Sequence, residues 1–595
     1  MPLEFYNIAD RLRETADLMP DTIAIAEPLF EGRKQKRDPF GRREYGVVTF
    51  AELDRDSDRI AAALQGAGVR KGMRLALLVR QGIDFIALVF AIFKTGATLV
   101  LIDPGMGARR MLDCLGEVDL DGFVAIPQAH LARLLYRRRF PRAKKNLTVG
   151  SRWFWGGLSL ARIRKGPEIR PTDPRTTLDD LAAIIFTSGS TGTAKGVYYS
   201  QRMFKTQVEQ IAERLDIKPG GVDLVGFPFF GLFNAGMGTT AIIPDMDSTK
   251  PASVDPKLFL EAANDWKITQ SFGSPALWNR VVDYCLERDL KIPTLRRAVI
   301  AGAPVSFELL RKFRKILPDD ANIITPYGAT ESLPLASIES REALKETSSL
   351  TRVGKGICVG KFFPPPLDRK IIAVSDDPIP TLADARELPP GEIGELLVSG
   401  PQCSPKYVTR VEANDFALVQ GDDGRLWRRV GDVGYFDERE RFWFCGRKSH
   451  RVETPNGTLF SIPCEAIANE SPKVFRSALV GTALPADFKT PDNISERARA
   501  FRNSWRVPAI VVEPFPNKRP ENEVEEELFC AEILELLQRS PLTRDIKRVF
   551  ICERFPVDAR HNAKINREAL SEWATAKLLG KKYRLIDGPT REASK

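Results

Sequence analysis

Residues 182–197, AAIIFTSGSTGTAKGV, decide how the rest of the sequence is read. Ile184, Ile185 and Phe186 form an apolar run that reads as a buried strand, and it stops where glycines and hydroxylated residues begin. Thr187, Ser188, Gly189, Ser190, Thr191 and Gly192 offer hydroxyls and unhindered backbone N–H groups. Lys195 adds a cation, so the loop can wrap a polyphosphate. The spacing departs from the usual nucleotide P-loop, because Lys195 is followed by Gly196 and Ala194 stands where a second glycine would be. Taken alone, the stretch reads equally well as a flexible Ser/Gly turn.

Around this loop the chain has 595 residues, too many for one core, since single hydrophobic cores stop growing near about 250 to 300 residues. Hydrophobic content of 43% with 28% charged residues is ordinary for a soluble globular protein and excludes disordered and collagen-like classes. The eight cysteines form no CxxC pair and there are only three histidines, so neither a disulfide framework nor a zinc site is expected. A cytoplasmic protein fits these counts. The N-terminal twenty residues carry charges throughout, unlike a secretory signal, and the apolar stretch 85–93 is cut by Lys94, far short of a span.

Strand and helix patterns alternate on both sides of the loop. Residues 50–66 place Leu53, Ile60 and Leu64 at helical spacing, 74–79 read as a strand, 85–94 as a buried helix and 98–102 as a strand ending at DPG. This rhythm implies a parallel α/β sheet. Further on, 201–215 read as a helix, 268–278 and AVIAGAP at 298–304 repeat strand then turn, and Ser306 caps a helix with Leu309, Leu310, Phe313 and Leu317 inward. Residues 323–331, IITPYGATE, form a second motif. There a strand would deliver Tyr327 to stack on a purine, Thr330 to reach a phosphate or carboxylate oxygen and Glu331 to hold Mg2+.

The net charge of +10 is concentrated in 133–165, which holds eleven basic residues, no acidic one, and Tyr136, Phe140, Trp153, Phe154 and Trp155; without it the chain would be close to neutral. A solvated loop is one reading. An anionic membrane surface is the sharper one, and nucleic acid is not expected because no nucleic-acid fold signature accompanies the patch.

The order TSGSTGTAKG resembles the signature loop of the acyl-adenylate-forming superfamily, which includes acyl-CoA synthetases, luciferases and peptide-synthetase adenylation domains. YGATE at 327–331 is similar to that family's YGxTE, so Tyr327, Gly328, Thr330 and Glu331 take its nucleotide and metal roles by resemblance. The turn Gly302, Ala303, Pro304 resembles its adenine and acyl-site wall. Asp432 in WRRVGDVGYF resembles the aspartate that accepts both ribose hydroxyls, and Arg447 the ribose-contacting arginine. Pro463 and Glu465 match its P-x-E. Ser449 replaces the usual Asp or Lys of the hinge. In FPVDARHNAKINR at 555–567, Pro556, Lys564 and Arg567 match the closing motif, and Lys564 is by resemblance the catalytic lysine.

The resemblance implies a large N-terminal domain, 1–446, with parallel α/β sheets and a β-rich subdomain. A small mobile α+β domain, 447–595, carries Lys564. ATP and Mg2+ are the implied cofactors. RHNAKI and DPGMG are most similar to the β-lactone synthetases of bacterial long-chain olefin biosynthesis. That subgroup implies a long-chain 3-hydroxy fatty acid as substrate and a β-lactone as product, with other enzymes of the same pathway as partners. The alternative is a long-chain acyl-CoA ligase or acyl-AMP ligase. A Ser-His-Asp hydrolase is weakly supported, since only His130, His450 and His561 could serve as base.

Overall fold

The computed structural model describes residues 4–32, 34–187, 194–227, 230–364, 367–484, 504–557, 565–581, 583 and 585. A seven-stranded sheet runs in the order Gly196–Ser200, Leu181–Phe186, Thr98–Leu101, Arg74–Leu78, Gly122–Ala125, Leu147–Thr148, Leu158–Ser159. Every pair is parallel except the first. The helices Phe50–Gly66 and Ile83–Lys94 pack together, and the second lies against Thr98–Leu101 of this sheet. Every residue from Phe85 to Lys94 is buried, which is why this helix reads as an unbroken apolar run. Its one cation does not face solvent: Lys94 Nζ lies 2.6 Å from both Asp54 and Asp58 of the neighbouring helix.

A fourteen-stranded sheet forms the second layer. One half is parallel, through Ile23–Pro28, Thr240–Ile242, Val222–Val225, Gln270–Gly273, Arg297–Ile300 and Asn322–Ala329. The ladder turns antiparallel at Ser332–Glu339 and continues through Ile357–Phe362, Arg441–Arg447, Leu426–Phe436 and Gly394–Ser399. The strands expected as a β-rich subdomain thus extend the same sheet, with their own cores around Phe442 and around Trp427. Ser306 caps the helix Phe307–Ile316 as expected, accepting from Leu309 N at 3.1 Å.

Beyond Arg447, Val474–Thr482, Val507–Pro514 and Val549–Ile551 form a three-stranded sheet. Strand alternation gives it two faces. Leu479, Ile510 and Val512 pack with helices Ser461–Ala468 and Glu523–Gln538; Ala478, Val480, Ala509 and Val511 pack with Arg567–Leu578. The acidic first turn of Glu523–Gln538 sits where the helix dipole favours it, behind the Asn522 cap.

The basic stretch is only partly a free surface. Arg139 pairs with Asp113, Arg142 with Asp121 at 3.0 Å, and Arg164 with Asp56 and Asp84 at 2.7 and 2.6 Å. Trp155 stacks on His130 and donates to Thr148 Oγ1 at 3.0 Å, whereas Trp153 and Phe154 stay exposed. No helix of the described residues is long and apolar enough to cross a membrane, and all eight cysteines are free.

Candidate active site

The site lies beyond the carboxyl ends of the parallel strands, where open α/β sheets place their ligands. Thr187 and Lys195 close the base of the first loop: Thr187 N donates to Lys195 O at 3.0 Å and Lys195 N to Thr187 Oγ1 at 3.1 Å. The expected phosphate contacts Ser188, Gly189, Ser190, Thr191 and Gly192 lie outside the described residues, as do Lys564 and His561.

Glu331 follows the strand Asn322–Ala329 at the tight turn into Ser332–Glu339. Its Oε1 accepts from Tyr407 Oη at 2.7 Å, and the Tyr407 ring lies under the Lys195 ammonium, 4.8 Å from the ring centre. Thr330 is half-buried, and its carbonyl accepts from Tyr199 Oη at 2.5 Å. Glu331 and Lys195, far apart in sequence, thus meet through one phenol.

A second cluster surrounds Asp432, which is buried on the strand Leu426–Phe436. Tyr327 donates to Asp432 Oδ2 at 2.5 Å, and Arg447 Nη1 lies 3.1 Å from Oδ1. Burial pushes the Asp432 carboxyl up, and the Arg447 charge opposes it. Burial and the Asp432 charge hold the Tyr327 phenol well above its ordinary range, so it remains a donor. Tyr327 rests its ring against Phe442 and Phe444, at 5.6 and 6.0 Å. Arg447 also feels the Glu331 charge, which joins the two clusters electrostatically.

Gly302, Ala303 and Pro304 form a half-exposed turn just past Arg297–Ile300, the strand that pairs with the one carrying Tyr327 and Gly328. Gly302 has φ +94°, a conformation that a side chain would strain. At the other end of the site, a Cβ on Gly446 (φ +124°) would meet Ser461 Oγ at 2.3 Å. The segment after it is held by the loop that follows the strand Asp368–Ile372: Lys448 Nζ donates to Ser375 O at 2.9 Å and Arg451 pairs with Asp376 at 2.5 Å. Glu465 is buried and holds Arg567 through two contacts of 2.8 Å, which fixes the start of the helix just after Lys564. His450 is held neutral, its pKa lowered to about 3 by burial and by the charges of Arg567 and Arg447. His130 is buried with Nε2 3.0 Å from Leu147 O. Neither arrangement resembles a hydrolase base beside a serine.

No group of three His, Cys, Asp or Glu side chains among the described residues could hold a metal by protein ligands alone. One carboxylate, Glu331, joined to Lys195 through Tyr407, fits Mg2+, which is commonly held by one or two carboxylates together with substrate phosphates and water.

Sequence reading missed Tyr407, Tyr199, Thr409 and Arg428. Arg428 is 1% exposed, donates Nε to Ser404 O at 2.8 Å and lies 4.8 Å from the Tyr407 ring centre. Two adjacent arginines on one strand point to opposite faces, and Arg429 pairs instead with the buried Glu395 at 2.7 Å. That alternation was the available signal for Arg428. Tyr407 and Thr409 lie in an irregular stretch that offers no signal.

Comparison with known proteins agrees with this geometry. An olefin β-lactone synthetase of Xanthomonas campestris pv. campestris is 42% identical over 574 residues, 96% of this chain and 97% of that one. The olefin β-lactone synthetase of Stenotrophomonas maltophilia is 40% identical over 578 residues, 96% of this chain and 98% of its own. Among solved structures, the o-succinylbenzoate CoA synthetase of Bacillus subtilis, in complex with its acyl-adenylate intermediate, superposes with a TM-score of 0.68 at 20% identity. It covers 96% of this chain and 98% of that one, and so shares the fold. The AMP-binding enzyme family matches residues 12–408, two thirds of the sequence and the part that carries both motifs, and the chain belongs to that family.

Proposed function

We propose that the protein activates a long-chain 3-hydroxy fatty acid with ATP and closes it to a β-lactone. The near-full-length likeness to two olefin β-lactone synthetases carries this reading. A carboxylate is a poor electrophile, because negative charge shields its carbon and oxide would have to leave. One carboxylate oxygen therefore attacks the α-phosphate of ATP, pyrophosphate departs, and the acid becomes an acyl-adenylate whose leaving group is AMP. The substrate's 3-hydroxyl oxygen then attacks the carbonyl carbon, AMP leaves, and the hydroxyl proton is lost to solvent or a base. Tethering supplies the nucleophile at high effective concentration, which offsets part of the strain of a four-membered ring.

The site must bring anions together. Lys195 and the loop from Thr187 to Gly192 would take the departing pyrophosphate, and Lys564 would bridge the carboxylate and the α-phosphate. Thr330 would reach one of the same oxygens. Asp432 and Arg447 would take the ribose, while Tyr327 and Gly328, with Gly302, Ala303 and Pro304, would border the adenine. Glu331 would hold Mg2+, which when bound neutralises phosphate charge. The body up to Gly446 would act as one domain, and residues 447–595 would swing about 446–449 between the half-reactions. The protein would work in the cytoplasm with other enzymes of the same pathway. Its residues 133–165, with Trp153 and Phe154 exposed, would touch an anionic membrane surface.

Incubation with ATP and a 3-hydroxy fatty acid, with and without CoA, tests the assignment. The expected product without CoA is AMP, pyrophosphate and a species that has lost one water from the acid. An acyl-CoA as sole product, with nothing formed when CoA is omitted, would contradict it.

A further inference from the structure

The stretch from Cys403 to Thr409 has no regular secondary structure, yet it is bonded to both nucleotide motifs. Ser404 N donates to Glu331 O at 2.8 Å, which ties it to the YGATE turn. Val408 N donates to Gly196 O at 2.7 Å, Tyr198 N to Lys406 O at 3.1 Å, and Gly196 N to Thr409 Oγ1 at 2.8 Å, which tie it to the strand leaving the phosphate loop. Tyr407 stands in the middle, 6% exposed. Asn414 fixes its backbone from both sides, accepting from Tyr407 N at 2.7 Å and donating to Tyr407 O at 3.2 Å.

A side chain fixed this firmly can set the distance between the groups it touches. The phenol reaches Glu331 Oε1, and the ring lies against both Lys195 and Arg428, each 4.8 Å from its centre. An aromatic face attracts a cation most strongly where water is excluded, and a hydrogen bond to a carboxylate is stronger than one to a neutral acceptor. Burial and the Glu331 charge push the Tyr407 phenol far above its ordinary range, so it stays a neutral donor and never places an anion beside Glu331.

We infer that Tyr407 is a positioning residue that couples the phosphate-loop lysine to the Glu331 carboxylate, holding the pyrophosphate-binding cation and the acidic group in one arrangement. Arg428 backs the ring with a second cation. The inference rests on the assignment of Lys195 and Glu331 above, and its test separates the two.

The probes are inorganic pyrophosphate and AMP, titrated calorimetrically into the full-length protein. Tyr407→Leu removes ring and hydroxyl; it should weaken pyrophosphate about tenfold or more while AMP, which lacks the two distal phosphates, stays within about twofold. Combined with Lys195→Ala it should add little to the loss, because both remove one coupled unit. Tyr407→Phe keeps the ring and should bind pyrophosphate normally, yet slow pyrophosphate release in the adenylation reaction about tenfold with the fatty-acid KM unchanged.

Wild-type pyrophosphate affinity in Tyr407→Leu, alongside a loss in Lys195→Ala, would overturn the inference and leave the site assignment standing. So would equal weakening of AMP and pyrophosphate in step with a lowered melting temperature, the mark of a merely structural residue. An unchanged pyrophosphate affinity in Lys195→Ala would overturn the phosphate-loop assignment and the inference with it.

Discussion

Asp432 is a buried carboxylate with one oxygen bonded to Tyr327 and the other facing Arg447, so its charge is held in place before any nucleotide arrives. A carboxylate with two acceptor oxygens suits two vicinal hydroxyls, and a hydrogen bond to a charged group contributes about 1.5 to 3 kcal/mol. Asp432→Ala should therefore raise the AMP dissociation constant by about ten- to a hundredfold, while pyrophosphate binding is kept. Calorimetry on the two ligands separates this outcome from a general loss of fold; equal affinity for AMP would remove Asp432 from the ribose site. Tyr327, Asp432 and Arg447 were each singled out by their motifs in the sequence, and the structure brings the three side chains together. Tyr407 was not, since its place is set by bonds between its neighbours and the strand Gly196–Ser200, up to 213 residues away in sequence.

Elements were read from periodicity wherever periodicity exists. The buried helix Ile83–Lys94, the cap at Ser306 and the strands Leu181–Phe186 and Val507–Pro514 follow directly from apolar pattern and capping chemistry. The bracing stretch around Tyr407 follows no period, and the pairing of Glu465 with Arg567 joins two helices across a sheet. His450 beside Arg567 gives that joint a pH signature. Its folded pKa is lowered to about 3, below the ordinary value of 6.5, chiefly by burial. Between these values the unfolded chain binds a proton that the folded one refuses, so stability rises with pH and is lost as pH falls below about 6.5. His450→Gln should flatten this acid limb, seen as a smaller fall of melting temperature between about pH 6.5 and 4.5 than in the wild type. Parallel curves for the two proteins would show that His450 titrates normally.

At the scale of the whole molecule the basic stretch 133–165 shows how sequence overstates a surface. Several of its cations are consumed by Asp56, Asp84, Asp113 and Asp121, acids that the linear reading places elsewhere. Arg137 and Arg138 are exposed, as are Tyr136, Trp153 and Phe154. Sedimentation with vesicles should therefore depend on acidic lipid and weaken with salt, at about 1 kcal/mol per basic residue at the surface. Equal recovery with neutral vesicles, or none with acidic ones, would reduce the stretch to a solvated loop.

In the proposed reaction the carboxylate is activated and the hydroxyl attacks. Oxygen labelling reads this directly. With a 3-hydroxy fatty acid carrying 18O in both carboxylate positions, ATP and no CoA, mass spectrometry of the two products should find one label in AMP and one in the lactone carbonyl, with the unlabelled hydroxyl oxygen in the ring. Both labels in the lactone and none in AMP would mean that the hydroxyl, not the carboxylate, had been activated, and would contradict the account.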